Sequence, residues 1–208
     1  DELLPELCAR LHSSGTLILQ APPGAGKTSR VPLALMGELV DGPRPAGRIL
    51  LIEPRRLAAK AAAARLAQSI GEPIGARIGY SVRNEQKRSE ATTVEAITDG
   101  LFLRRLQSDP DLPGVGTVIF DEFHERRRNS DVALALLREA RRLLRPDLKL
   151  LLMSATLQLE TLAAQFEGAE TLTSHGRAFP VETHHCPPRD RERLESHVLR
   201  ALEKELIH

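Results

Sequence analysis

The sequence contains no tryptophan, one tyrosine (Tyr80) and five phenylalanines. Its core must therefore be built mainly from Leu, Ala, Val and Ile. Single-strand nucleic-acid binders of the stacking type interleave aromatic platforms with basic residues, and this chain has little material for such platforms. Cysteine is nearly as scarce. Cys8 and Cys186 lie far apart, with no CxxC and no Cys/His spacing, so no disulfide framework or zinc site follows. No apolar run approaches the ~20 residues a membrane-spanning helix needs. The N-terminal stretch DELLPELCARLHSSG has no basic segment ahead of an apolar run, so no signal peptide is read and the expected location is cytoplasmic. Neither sign of charge dominates. Against 28 acidic residues stand 29 basic ones, a net charge of +1, which excludes a tail that binds nucleic acid by bulk charge and an acidic solvating protein. The basic set is lopsided, with 24 Arg and 5 Lys. The planar guanidinium fork suits phosphate, so neutrality overall leaves room for a local arginine surface.

What is present is an alternation. Short apolar runs at 16–20, 48–53, 94–97, 115–120 and 148–153 read as buried strands. Between them lie helical patterns: 3–12, Lys27 to about Val40, Pro54 to about Ile70 with Gly71 beyond its end, 100–107, and 130–144. Strands that are continuous apolar runs, alternating with helices, define an α/β class with a mostly parallel sheet covered by helices on both faces. No internal repeat is visible. After about Gly176 the character changes: Pro180, Pro187 and Pro188 stand among charge clusters, and 191–207 reads as a further helix. The expected division is 1–175 as one domain and 176–208 as a linker with a helix. That helix is either part of the same domain or the first of a second one.

Two constellations carry chemistry. Ala21-Pro22-Pro23-Gly24-Ala25-Gly26-Lys27-Thr28 follows a strand and opens a helix, the context a Walker A loop requires. The glycines let successive N–H groups turn inward, and those amides with the helix start favour an anion. Gly24, Ala25, Gly26, Lys27, Thr28 and Ser29 are the candidate ATP-binding residues. Lys27 would reach the β- and γ-phosphates, and the Thr28 hydroxyl would ligate Mg²⁺. About 90 residues on, Asp121 and Glu122 end an apolar strand. Ligands of open α/β sheets bind at such ends. Asp121 is the expected Mg²⁺ residue and Glu122 the expected general base for an attacking water.

The stretch Asp121-Glu122-Phe123-His124-Glu125-Arg126 resembles motif II of the DEAH-box helicases of superfamily 2, with Phe123 in place of the usual Ala. Other segments follow in order. Glu53-Pro54-Arg55-Arg56-Leu57-Ala58-Ala59 resembles motif Ia, Gly79-Tyr80-Ser81-Val82-Arg83 the GYxxR segment, Thr98-Asp99-Gly100 motif Ib, and Met153-Ser154-Ala155-Thr156-Leu157 motif III. The resemblance implies a RecA-like P-loop NTPase domain, the first of two, from an ATP-dependent RNA helicase that needs Mg²⁺. It implies that Arg55, Arg56 and Thr98 contact the RNA backbone, that Arg65 stacks on the adenine, and that His124 couples the γ-phosphate site to Ser154 and Thr156. It also implies that a second RecA-like domain supplies arginine fingers, so the 208 residues would bind nucleotide but hydrolyse it weakly. Arg127-Arg128 stands where a shorter polar side chain is expected. Arg55-Arg56 at a helix start is itself odd, since cations are disfavoured there. Two readings from other classes remain: a P-loop ATPase that remodels a protein or ribonucleoprotein without unwinding, and an ATP-gated scaffold.

Overall fold

A computed structural model describes residues 2–155, 162–166, 168–174 and 183–206. The element order is α1 (Leu4–Ser14), β1 (Thr16–Gln20), α2 (Lys27–Met36), β2 (Arg48–Glu53), α3 (Arg56–Ser69), β3 (Ile78–Val82), β4 (Glu85–Lys87), β5 (Val94–Thr98), α4 (Asp99–Ser108), β6 (Val115–Phe120), α5 (Arg128–Leu143), β7 (Lys149–Ser154), β8 (Glu170–Thr173) and α6 (Leu194–Leu206). The chain divides into two compact units, Asp1–Gly176 and Arg177–His208.

In the first unit eight strands form one sheet in the order β4-β3-β5-β2-β6-β7-β1-β8. Every pairing is parallel except β3 with β4, an antiparallel hairpin that caps one edge. Alternate residues of each strand feed two separate cores. Leu17, Leu19, Ile49, Leu51, Leu151 and Met153 pack with α1, α2 and α3 on one face. Ile18, Leu50, Ile52, Leu150 and Leu152 pack with α4 and α5 on the other. This is the expected architecture. Three phenylalanines stand in for missing larger aromatics: Phe102 meets Phe120 edge to face at 5.8 Å, and Phe120 meets Phe123 likewise at 5.9 Å.

Several boundaries differ from expectation. The helix α2 stops at Met36 rather than near Val40, because Gly37 turns left-handed (φ 82°) and Glu38 N–H closes onto Leu33 O at 3.0 Å. Pro54 precedes α3 instead of opening it, and Arg55 is the extended residue at its N-cap. The hairpin β3–β4 and the edge strand β8 are additional to the five expected strands, so the run at 94–97 belongs to the fifth strand. The second unit contains α6, preceded by Glu192, which pairs with Arg200 at 2.8 Å.

Candidate functional site

Parallel strands end together, so the loops after β1, β2, β6 and β7 gather at one edge of the sheet. The loop after β1 holds the glycine-rich segment. Gly24 (φ 77°) and Gly26 (φ 80°) both adopt the left-handed region. A Cβ on Gly26 would also meet Arg30 Cδ at 3.2 Å. From this turn α2 begins at Lys27, with no side-chain cap on its first amides. Lys27 is buried, and its ammonium donates to the carbonyls of Ala21 (2.8 Å) and Pro22 (3.2 Å). Ser29 Oγ donates to Gly26 O at 3.2 Å.

The phosphate-type loop and the acidic strand end meet directly: Thr28 Oγ1 donates to Asp121 Oδ2. The other carboxylate oxygen of Asp121 accepts the Glu122 N–H at 2.8 Å. Burial pushes the Asp121 carboxyl above its ordinary range, and these two hydrogen bonds work against that. A hydroxyl and a carboxylate at one point are the hard oxygen pair that Mg²⁺ takes alongside phosphate oxygens, so the residues present fit that ion.

Glu122 adopts a left-handed backbone (φ 48°, ψ 38°), which swings the chain off β6 into the short 3₁₀ turn Phe123–Glu125. His124 lies in that turn. Its Nδ1 accepts the Ala155 N–H at 3.3 Å and stands 3.4 Å from Glu122 Oε2. His124 therefore ties the turn to the end of β7, beside fully buried Ser154. Ser154 O in turn accepts the Ala21 N–H at 3.0 Å. Thr156 lies outside the described residues. Phe123, the departure from the family's Ala, is buried against Phe120 and anchors the turn to the core.

One acidic residue gained no role from its motif. Glu53 ends β2 next to Asp121, is 3 % exposed, and its Oε1 has no hydrogen-bond partner among the described residues. Burial, then repulsion from Asp121, Glu122 and Glu125, pushes its carboxyl up to about 8. The signal was available: like Asp121 it is a carboxylate closing an apolar run.

A second feature adjoins the acidic turn. A cleft of about 620 Å³ is bordered by Arg55, Arg56, Thr98 and the starts of α4 and α5. Arg55 pairs with Glu125 at 3.0 Å, and Arg56 is exposed. Thr98 is the N-cap residue of α4. Arg127 Nε holds buried Asp99 at 3.0 Å, joining the residue before α5 to the first residue of α4. Arg65 is not drawn to either feature by any side-chain hydrogen bond or ion pair among the described residues. It is exposed on α3, where its carbonyl accepts from Ser69 Oγ at 2.8 Å.

A doubly covered, mostly parallel sheet with a glycine-rich loop, Lys27 and Thr28 facing a strand-ending acid defines a P-loop nucleotide-binding domain of the RecA-like class. Within that class the chain belongs to the DEAD/DEAH box helicase family, whose model matches residues 5–164. It is 43 % identical over 196 residues to the ATP-dependent RNA helicase HrpB of Escherichia coli (strain K12), covering 94 % of this chain and 24 % of that protein. It is 39 % identical over 179 residues to the DExH-box ATP-dependent RNA helicase DExH1 of Arabidopsis thaliana, covering 85 % of this chain and 18 % of that protein. The crystal structure of the Escherichia coli DEAH/RHA helicase HrpB superposes with a TM-score of 0.87 at 42 % identity, covering 99 % of this chain and 26 % of that one. The chain thus spans about a quarter or less of the length of these relatives. Among the described residues no helix is long and apolar enough to cross a membrane.

Proposed function

We propose that this chain is the nucleotide-binding domain of an ATP-dependent RNA helicase acting in the cytoplasm. It would couple ATP hydrolysis to movement along RNA. The observation that carries the reading is the meeting of Thr28 with Asp121 beside Lys27, which assembles the parts of a phosphoryl-transfer site at one sheet edge. Gly24, Ala25, Gly26 and Ser29 contribute backbone N–H groups and a helix start to the phosphates. Lys27 supplies the fixed positive charge. Thr28 and Asp121 would hold Mg²⁺, which neutralises charge on the β- and γ-oxygens when bound. Glu122, swung out on its left-handed backbone, orients the attacking water and takes its proton. His124 relays changes at Glu122 to the Ser154–Thr156 segment through Ala155 N–H. Arg65 is available to stack on the adenine.

Arg55, Arg56 and Thr98 grip RNA phosphates in the neighbouring cleft, which favours affinity without sequence preference. Residues 1–175 act as the nucleotide-binding domain. Residues 176–208 act as a linker leading to a second RecA-like domain, which completes the site. The alternative, an ATPase that remodels a protein partner without unwinding, lacks a comparable observation in its favour.

The test is RNA-stimulated ATP turnover by the full-length protein. Glu122→Gln should lower turnover at least ~100-fold while nucleotide still binds. Arg55→Ala with Arg56→Ala should blunt the response to RNA. Full turnover by Glu122→Gln would overturn the assignment of the base, and an undiminished RNA response in the arginine variant would favour the remodelling reading.

A further inference from the structure

Two helices begin with pairs of arginines. Arg55 is the N-cap and Arg56 the first residue of α3; Arg127 is the N-cap and Arg128 the first residue of α5. A helix start carries partial positive charge from unpaired N–H groups, so a cation there is repelled. Neither start has a side-chain cap, and α3 has no acidic residue in its first turn. The acid in the first turn of α5, Asp131, is engaged by Arg126 at 3.0 Å. Both helices open on the same cleft, which Arg83 and Arg104 also border. Among the described residues, six arginines line it against a single carboxylate, Asp99. That carboxylate is already occupied by Arg127 and by the Gly100 N–H. The whole chain carries only +1, so positive charge is concentrated here far beyond the average. Arg104 and Arg128 are exposed and have no side-chain hydrogen bond or ion pair among the described residues.

Such an arrangement works against the folded chain standing alone and is relieved by an anion lying in the cleft. We propose that Arg104 and Arg128 form an additional phosphate grip on the α4–α5 side of the cleft, taking the phosphodiester backbone of single-stranded nucleic acid. This extends the bound strand beyond Arg55, Arg56 and Thr98. Neither residue belongs to the segments that resemble family motifs. The side chains around them, Gln107 and Asn129, offer hydrogen bonds to sugar and phosphate oxygens and no aromatic platform, which matches backbone gripping. The proposal rests on the nucleic-acid reading above.

The experiment measures binding of a fluorescent oligouridylate to the full-length protein over a series of KCl concentrations. It compares Arg104→Ala, Arg128→Ala, the double variant, Arg128→Lys and Arg55→Ala. Each phosphate contact on a single strand contributes ~0.7 to the slope of log affinity against log salt. Each alanine should therefore lower that slope by about 0.7, the double by about 1.4, and Arg128→Lys should retain it. The thermal midpoint of Arg128→Ala should equal or exceed that of the parent, because a cation leaves the positive end of α5. A double variant with the parental slope, where Arg55→Ala lowers it, overturns the additional grip and leaves the nucleic-acid reading intact. Parental slopes in both sink the nucleic-acid reading and the grip together. A loss of midpoint alongside affinity in Arg128→Ala assigns that arginine to folding and overturns the proposal. Retained oligouridylate binding with lost binding of polyglutamate replaces the nucleic acid with an acidic protein partner.

Discussion

Glu53 offers the sharpest quantitative test of the charge arrangement at the sheet edge. The perturbation is Glu53→Gln, which keeps the shape and removes the ionisable group. In the folded chain burial, then the charges of Asp121, Glu122 and Glu125, push this carboxyl up to about 8 from an ordinary 4.5. A raised carboxyl pKa means that the folded state holds a proton the unfolded chain has released. Its contribution is intact below 4.5 and is lost as pH climbs towards 8. At ~1.4 kcal/mol per tenfold change the interval corresponds to a ceiling of roughly 5 kcal/mol. An ionised group at a sheet edge can recruit water and counter-ions, so about 2 kcal/mol is expected in practice.

The glutamine variant should therefore match the parent near pH 5 and exceed it by about 2 kcal/mol near pH 8.5. Urea unfolding followed by far-ultraviolet circular dichroism reads this directly, and suits a chain with no tryptophan. The slopes against urea should be equal, so that the midpoints report stability alone. A difference that does not vary with pH, or a glutamine variant less stable than the parent at pH 8.5, would refute the reasoning. Either result would mean that Glu53 is ionised and paired in the folded chain rather than protonated.

Two further outcomes bear on packing and on buried charge. Phe123→Ala restores the family's usual residue but removes a buried ring set against Phe120. It should cost ~3 kcal/mol by thermal or urea unfolding, and a loss under ~1 kcal/mol would show that the turn is not anchored there. Glu95 is fully buried and held by Arg105 through two hydrogen bonds, with Ser81 and the charges of Arg48 and Arg88 nearby. Burial, the largest single influence, raises its carboxyl, but Arg105, Ser81 and Arg88 together outweigh it and hold the group below the ordinary range. Arg105→Met should cost ~3 kcal/mol at pH 7. The deficit should shrink as pH falls through the carboxylate range, because Glu95 can then take a proton in place of its partner. Equal deficits at pH 7 and pH 4 would count against Glu95 as the buried charge being served.

How far the sequence reached depended on whether a feature was local. The strands at 16–20, 48–53 and 115–120 match the structure residue for residue, because each is a short apolar run with both faces covered. The run at 148–153 slid by one, since Ser154 carries the pairing opposite Gln20 although it is polar. The hairpin β3–β4 is not legible as a pair of strands. Gly79 and Ser81 break its apolar pattern, and its pairing with Val94–Ile97 crosses a turn-rich stretch. The edge strand β8 is short and mixed, with one buried residue, Leu172. Likewise the Thr28–Asp121 contact was legible because both partners sit in recognisable local settings. The surroundings of Glu53, Glu125, Arg104 and Arg128 were not, because their neighbours arrive from other strands and helices.

Two sets of residues, one at the strand ends and one at the helix starts, share a physical character. At the strand ends, burial and then the neighbouring carboxylates push Glu53 up to about 8; at the helix starts, arginines crowd the positive ends of α3 and α5. Each cluster opposes folding on electrostatic grounds, and each would be neutralised by a ligand of opposite sign. Between them runs the turn Glu122–Arg126, bounded by left-handed residues at both ends. It is tied to the arginine side through Glu125–Arg55 and to the end of β7 through His124–Ala155. A phosphate that draws Arg55 into the cleft competes with Glu125 for the same guanidinium. Released from that pair, Glu125 adds its full charge to the group around Glu53 and Glu122, which raises the gain from a cation at Asp121. A phosphate at Arg55 and a cation at Asp121 would then favour each other's binding.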